Sequence, residues 1–199
     1  MNIVPGAVSQ SFGPVHDAHG AASPLEVRVA KLEQQLAADR RSGTAIVVSG
    51  GALDHVLSAL ILATTSAALG EEVHIFFSFW AISALRKPGA RTRSRVTLID
   101  RVLRMLLPKG ARRLTLSRMH WGGAGTAMMR GRMKSKGIPD CDELLDMAKS
   151  SGVRLSVCEM TMDLMGLTRD DLIDYPDLGV CGAATFLAIA QKSATTLII

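Results

Sequence analysis

The most constraining feature of this chain is a strand, a glycine turn, a helix and a second strand placed in direct succession between residues 44 and 79. Thr44-Ala-Ile-Val-Val48 is a β-branched run that reads as a buried strand, and Ser49-Gly50-Gly51 follows as a tight turn. Leu53 to Leu69 has the length and apolar content of a core helix and is stopped by Gly70. Glu72 to Phe79 is a second strand. Strands joined through a helix pair in parallel, and the crossover is right-handed. A chain that begins this way is committed to a βαβ architecture.

The remainder keeps the rhythm. Asp140 is placed to cap a helix over 140–150, with Asp142 and Glu143 in the first turn, where the helix dipole favours acids. Val153 to Val157 reads as a strand, Thr161 to Gly166 as a helical turn, and Thr168 as the cap of another turn over 169–173. Val180 to Lys192 reads as the last helix and Thr195 to Ile199 as the last strand. The predicted fold is α/β: an open, mostly parallel sheet of four or five strands with helices on both faces. Residues 86–136 break the alternation and read as a basic, inserted segment. It holds a basic amphipathic helix over 96–107, a strand over 113–119 and a helix over 126–136. Ahead of the domain at 44–199, residues 1–24 read as a mobile tail. Residues 25–43 read as an amphipathic helix and linker, with Leu25, Val29, Leu32 and Leu36 in one stripe. A helix so short is marginal alone, so the stripe predicts packing on the domain or against a second copy, and a homo-oligomer.

Composition narrows the function classes. Only 4% of residues are aromatic, which disfavours a base-stacking nucleic-acid platform. The longest apolar run, Val56 to Leu69, is shorter than the roughly 20 residues of a membrane span and contains Ser58, Thr64, Thr65 and Ser66. Three cysteines are too few for a disulfide framework and favour a reducing compartment. Residues 1–24 lack Lys and Arg and do not read as a secretory signal, so the chain is expected in the cytoplasm.

Charge is unevenly distributed. Arg86 to Lys136 carries 15 of the 23 basic residues against one acid, Asp100, whereas Asp140 to Asp177 carries 10 acids against three bases. The basic stretch, with Arg101, Arg104, Arg112 and Arg113, reads as a solvated face, as a dock for an acidic protein or anionic membrane, or, least favoured, as a nucleic-acid surface. No nucleic-acid recognition module is visible.

In sheets of this kind ligands bind beyond the carboxyl ends of the strands. Three segments fall there: Ser49-Gly50-Gly51, the Phe79-Trp80 end of the second strand, and Cys158-Glu159-Met160. Cys158 stands where a strand hands over to a helical turn, a position whose backbone N–H groups can stabilise a thiolate. The plain alternative is a small buried hydrophobe. Cys181, read at the start of the last helix, is a possible second thiol, and Cys141 in the 140–150 helix reads as packed. Met160, Met162 and Met165 offer a soft wall beside Cys158 or ordinary core filling. Ser49-Gly50-Gly51 could hold an anion, but a turn requiring positive φ explains it as well. The cysteine spacing, with no histidine interleaved, gives no zinc pattern, and no metal or other cofactor is expected.

Cys158-Glu-Met-Thr-Met-Asp-Leu-Met-Gly166 resembles the C-x-M-[ST]-M-D-x-M-G signature of the DsrE/DsrF/DsrH-like family, in its larger branch commonly labelled peroxiredoxin-like. Pro108-Lys-Gly110, Leu116-Ser-Arg-Met119, Gly122-Gly123-Ala-Gly125-Thr126, Ile138-Pro139 and Gly179-Val-Cys-Gly-Ala-Ala-Thr-Phe186 fit the same pattern. The resemblance covers about 44–199. It implies a compact α/β sheet and a cytoplasmic sulfur carrier or sulfurtransferase. Cys158 would hold sulfane sulfur as a persulfide and pass it among TusA-like and rhodanese-like partners. Two other readings stand beside it. One is a non-catalytic oligomeric binding module that docks an acidic protein or a membrane surface through the basic helix. The other is a thiol peroxidase, which the absence of a T-x-x-C motif argues against.

Overall fold

The computed structural model describes residues 23–38, 41–88, 107–118 and 121–199. The chain divides into two units, Met1–Arg40 and Arg41–Ile199. In the first, helix α1 (Pro24–Ala38) is capped reciprocally: the Ser23 amide donates to the Glu26 carboxylate, and the Glu26 amide donates to the Ser23 hydroxyl. Leu25, Val29 and Leu32 are exposed on this helix. The predicted tail over 1–24 and the predicted basic helix over 96–107, with Arg101 and Arg104, lie outside the described residues except for residues 23, 24 and 107.

The second unit is built on five strands: β1 (Thr44–Val48), β2 (Val73–Phe77), β3 (Arg154–Cys158), β4 (Gly179–Cys181) and β5 (Thr195–Ile198). They form one sheet in the order β4-β3-β2-β1-β5, every pair parallel. Helix α2 (Leu53–Ala68) connects β1 to β2. Helices α3 (Ala124–Ser135) and α4 (Cys141–Ser150) lie between β2 and β3. Helix α5 (Glu159–Leu164) follows β3, and α6 (Ala183–Lys192) links β4 to β5.

The topology explains the layering. The chain steps from β1 to β4 in one direction, then returns across the sheet to place β5 beside β1. Right-handed crossovers put helices on one face for the outward steps and on the other for the return. Accordingly, Val56, Leu60 and Ala63 of α2 and Leu144, Leu145 and Ala148 of α4 join Ile46, Val48, Ile75, Phe77, Leu155 and Val157 in the main core. Each fully buried Val, Leu, Ile or Phe among them contributes about 1.5–3 kcal/mol of burial. The alternate strand residues face the other way. Ala45, Phe76 and Cys158 form a small second cluster with Phe186 of α6, flanked by the half-buried Val47, Cys181 and Ala190. Phe76 and Phe186 stack with centroids 4.9 Å apart.

Two predicted elements are corrected. Residues 114–118 form no strand; a turn at Ala111–Arg113 leads into a segment tied to the first turn of α2. There the Leu53 amide donates to the Thr115 carbonyl, and the Ser117 amide and hydroxyl both donate to Asp54. The last helix begins at Ala183 and not at Val180, because Gly179–Cys181 pairs with β3 as an edge strand. Pairing with a distant segment overrides the helical periodicity of the apolar run that follows. Elsewhere the readings and elements agree closely. Asp140 caps α4 in a full capping box with Glu143.

Candidate functional site

The site is built from the carboxyl edge of β3 and β4. Cys158 is the last residue of β3 and the residue that precedes α5, and its side chain makes no capping hydrogen bond. Strand alternation decides where it points. Val157 joins the main core, so Cys158 turns to the second face, where it is 6% exposed among Ala45, Phe76 and Phe186. Its partner in the β3–β4 register is Cys181. Cys181 therefore stands at the end of an edge strand, not at a helix start, and is half-buried beside the same cluster. The pairing brings two of the three thiols side by side.

The third thiol is elsewhere. Cys141 opens α4 within the main core, and burial pushes its thiol from 9.0 up to about 12; Arg130 opposes this shift, while Asp140 and Asp142 add to it. It is a packing residue held as the neutral thiol.

The three methionines do not close over Cys158 together. Met162 and Met165 belong to the main core on the opposite face, because α5 turns its inner side back toward that core. Met160 is 69% exposed next to the site. Ser49 is bonded to the chain end: its amide donates to the Ile199 carbonyl at 2.9 Å and its hydroxyl to the same oxygen at 3.4 Å. Gly50 and Gly51 are absent from the positive-φ glycines. Their need for glycine is close approach. A Cβ on Gly50 would overlap His55 Nδ1, and one on Gly51 would meet the Trp80 carbonyl oxygen at 2.5 Å. A cleft of about 260 Å³ opens between Gly51, Trp80, Ser83 and Thr115; Cys158 does not line it.

Toward the other end of the second face, His74 Nε2 lies 2.7 Å from the Ser156 hydroxyl, and the ring tilts against Phe186. Burial, with Arg154 adding to it, holds the imidazole below its ordinary pKa. Arg112 and Arg113 are exposed, and Arg112 is ion-paired with Asp142 of α4. Among the described residues, no group of three or more His, Cys, Asp or Glu is arranged to hold a metal ion. No helix among them is long and apolar enough to cross a membrane.

Sequence reasoning placed Cys158 at a strand end but missed that Cys181 is its neighbour. The available signal was β-branched Val180 set between Gly179 and Gly182, which suits a short strand better than a helix start.

Comparison with known proteins places this arrangement in context. The sequence is 35% identical over 156 residues to the uncharacterized protein YrkE of Bacillus subtilis, covering 78% of this chain and 96% of that protein. It is 35% identical over 153 residues to the sulfur carrier protein DsrE2 of Allochromatium vinosum, covering 75% of this chain and 92% of that one. Among solved structures it is similar to the ychN protein from E. coli, at 10% identity and a TM-score of 0.44, over 79% of this chain and 99% of that one. The family model described as DsrE/DsrF/DrsH-like matches residues 40–198, which is the whole sheet with its helices, and the chain belongs to that family.

Proposed function

We propose that this protein is a cytoplasmic sulfur carrier that holds sulfane sulfur as a persulfide on Cys158 and passes it to partner proteins of the TusA-like and rhodanese-like kind. The observation that carries this reading is the setting of Cys158: a thiol at the carboxyl edge of a central strand, 6% exposed in a small apolar cluster. A persulfide needs a thiol that a donor can reach and surroundings that keep its outer sulfur from water and stray thiols. The apolar cluster supplies the shelter, and the strand end beside exposed Met160 supplies the access. The kinship with a protein named as a sulfur carrier supports the same chemistry.

Partner docking is assigned to the basic segment, with Arg101, Arg104, Arg112 and Arg113 meeting an acidic protein or an anionic membrane. The protein works as a homo-oligomer in this reading. The exposed Leu25, Val29 and Leu32 of α1 are the apolar stripe from which that association is expected.

The test is intact mass after exposure to glutathione persulfide and removal of the donor. Read at once after the donor is removed, wild-type protein carries the mass of one added sulfur atom, which reductant removes, and Cys158→Ser carries none. A Cys158→Ser variant that loads like the wild type shows that another residue carries the sulfur.

A further inference from the structure

The register of β3 against β4 makes Cys158 and Cys181 direct lateral neighbours. Adjacent strands lie about 4.8 Å apart, inside the Cα separation of roughly 4.4–6.8 Å that a disulfide accepts. Register partners in a parallel pair face the same side of the sheet, and both cysteines pack on the second cluster. The environment also permits the small movement a sulfur–sulfur bond needs. β4 is an edge strand of three residues, Cys181 is its last residue, and a Cβ on the following Gly182 would meet nothing within 4 Å. Of the two, Cys181 is the more open to solvent.

We propose that Cys181 is a resolving thiol that discharges the carrier when no acceptor is docked. This rests on the persulfide reading of Cys158. The Cys181 thiolate attacks the inner sulfur, Sγ of Cys158, in line with the sulfur–sulfur bond. A Cys158–Cys181 disulfide forms, the bond to the outer sulfur breaks, and that sulfur departs with the electron pair as hydrosulfide. The sulfane sulfur is the oxidant: it is reduced to sulfide while the two cysteine sulfurs are oxidised, so no outside oxidant enters. A dithiol reductant then returns both thiols by exchange. The register selects the inner sulfur, because the neighbouring strand lies beside Sγ and not beyond it. Position 181 thus decides whether this chain stores sulfur or releases it as sulfide.

The experiment loads the full chain with glutathione persulfide, removes the donor by rapid desalting, and follows intact mass and trapped sulfide with time. In the wild type, the added sulfur mass decays to a species two hydrogens lighter than the reduced protein. One sulfide appears per chain, and digestion yields a peptide pair joining Cys158 to Cys181. In Cys181→Ser the added sulfur persists, and sulfide release slows by about tenfold or more. Peptide mapping of the wild type needs no variant and so does not depend on how well Cys181→Ser folds. If wild-type protein keeps its sulfur as long as Cys181→Ser does, with no joined peptide, the resolving role is overturned and the carrier reading stands. If the sulfur moves intact onto Cys181, the role is also overturned, because attack then falls on the outer sulfur. If neither protein gains sulfur, the carrier reading fails and the resolving role with it.

Discussion

At the scale of single residues, the three thiols are sorted by where alternation and helix starts place them. Cys141 enters the main core and has its pKa raised to about 12 by burial, while Cys158 and Cys181 share the second face. The folded chain therefore holds the Cys141 proton more tightly than the unfolded chain does. As pH rises past 9.0, the unfolded thiol ionises first, and stability falls until the folded value near 12 is reached. Tyr175, which donates to the Val153 carbonyl at 2.7 Å and is also raised to about 12 by burial, acts in the same direction from its ordinary 10.0. Cys141→Ala removes one of these two losses. Its stability deficit against wild type, read by urea denaturation, should shrink as pH is raised above about 9. Iodoacetamide mapping of native protein should modify Cys141 last. A constant deficit across the alkaline range, or early alkylation of Cys141, contradicts this placement.

At the scale of elements, the turn after β1 is fixed by contact. Gly51 leaves no room for a side chain against the Trp80 backbone, whereas Gly131, inside α3, has nothing within 4 Å of a Cβ. Gly51→Ala should destabilise the domain by about 1–3 kcal/mol, and Gly131→Ala should stabilise it by about 0.5–1 kcal/mol. Thermal unfolding of the two variants reads both signs, and a neutral Gly51→Ala would show that the turn adjusts freely. The same elements show what the sequence can and cannot convey. β1, α2, α4 and the position of Cys158 were legible because local signals agree: β-branched runs, a capping box, a glycine stop. β4 was not, since three residues hold too little pattern and their strand character exists only through pairing with β3. The neighbour of Cys158 is a property of that pairing, so it was invisible with the strand. The methionines, read as a wall beside Cys158 or as core filling, divide for a related reason. Met162 and Met165 are close to Cys158 in sequence, but the change of direction at the end of β3 sends them to the opposite face.

At the scale of the whole molecule, the dominant feature is the separation of charge along the chain. Part of it is neutralised internally, where Arg112 of the basic stretch pairs with Asp142 of the acidic one. Among the described bases of that segment, Arg113, Arg118, Arg132, Lys134 and Lys136 are exposed, and exposed bases focus a positive potential. Because the Debye length is about 8 Å at physiological salt, docking through exposed bases should slow as salt is added. Replacing Arg101, Arg104, Arg112 and Arg113 by Gln should slow sulfur transfer to an acidic acceptor while leaving loading by a small neutral donor nearly unchanged. Stopped-flow transfer rates measured at low and high salt test this. Equal rates for variant and wild type at both would reduce the basic segment to solvated surface. The central claim, that Cys158 carries the sulfur, is tested most directly in a Cys141→Ser/Cys181→Ser double variant, in which Cys158 is the only thiol left. After loading with glutathione persulfide, that variant should gain one sulfur atom, mapped to the Cys158 peptide, and surrender it to a TusA-like acceptor whose mass rises by the same amount. A folded double variant that takes up no sulfur from the donor would contradict the account.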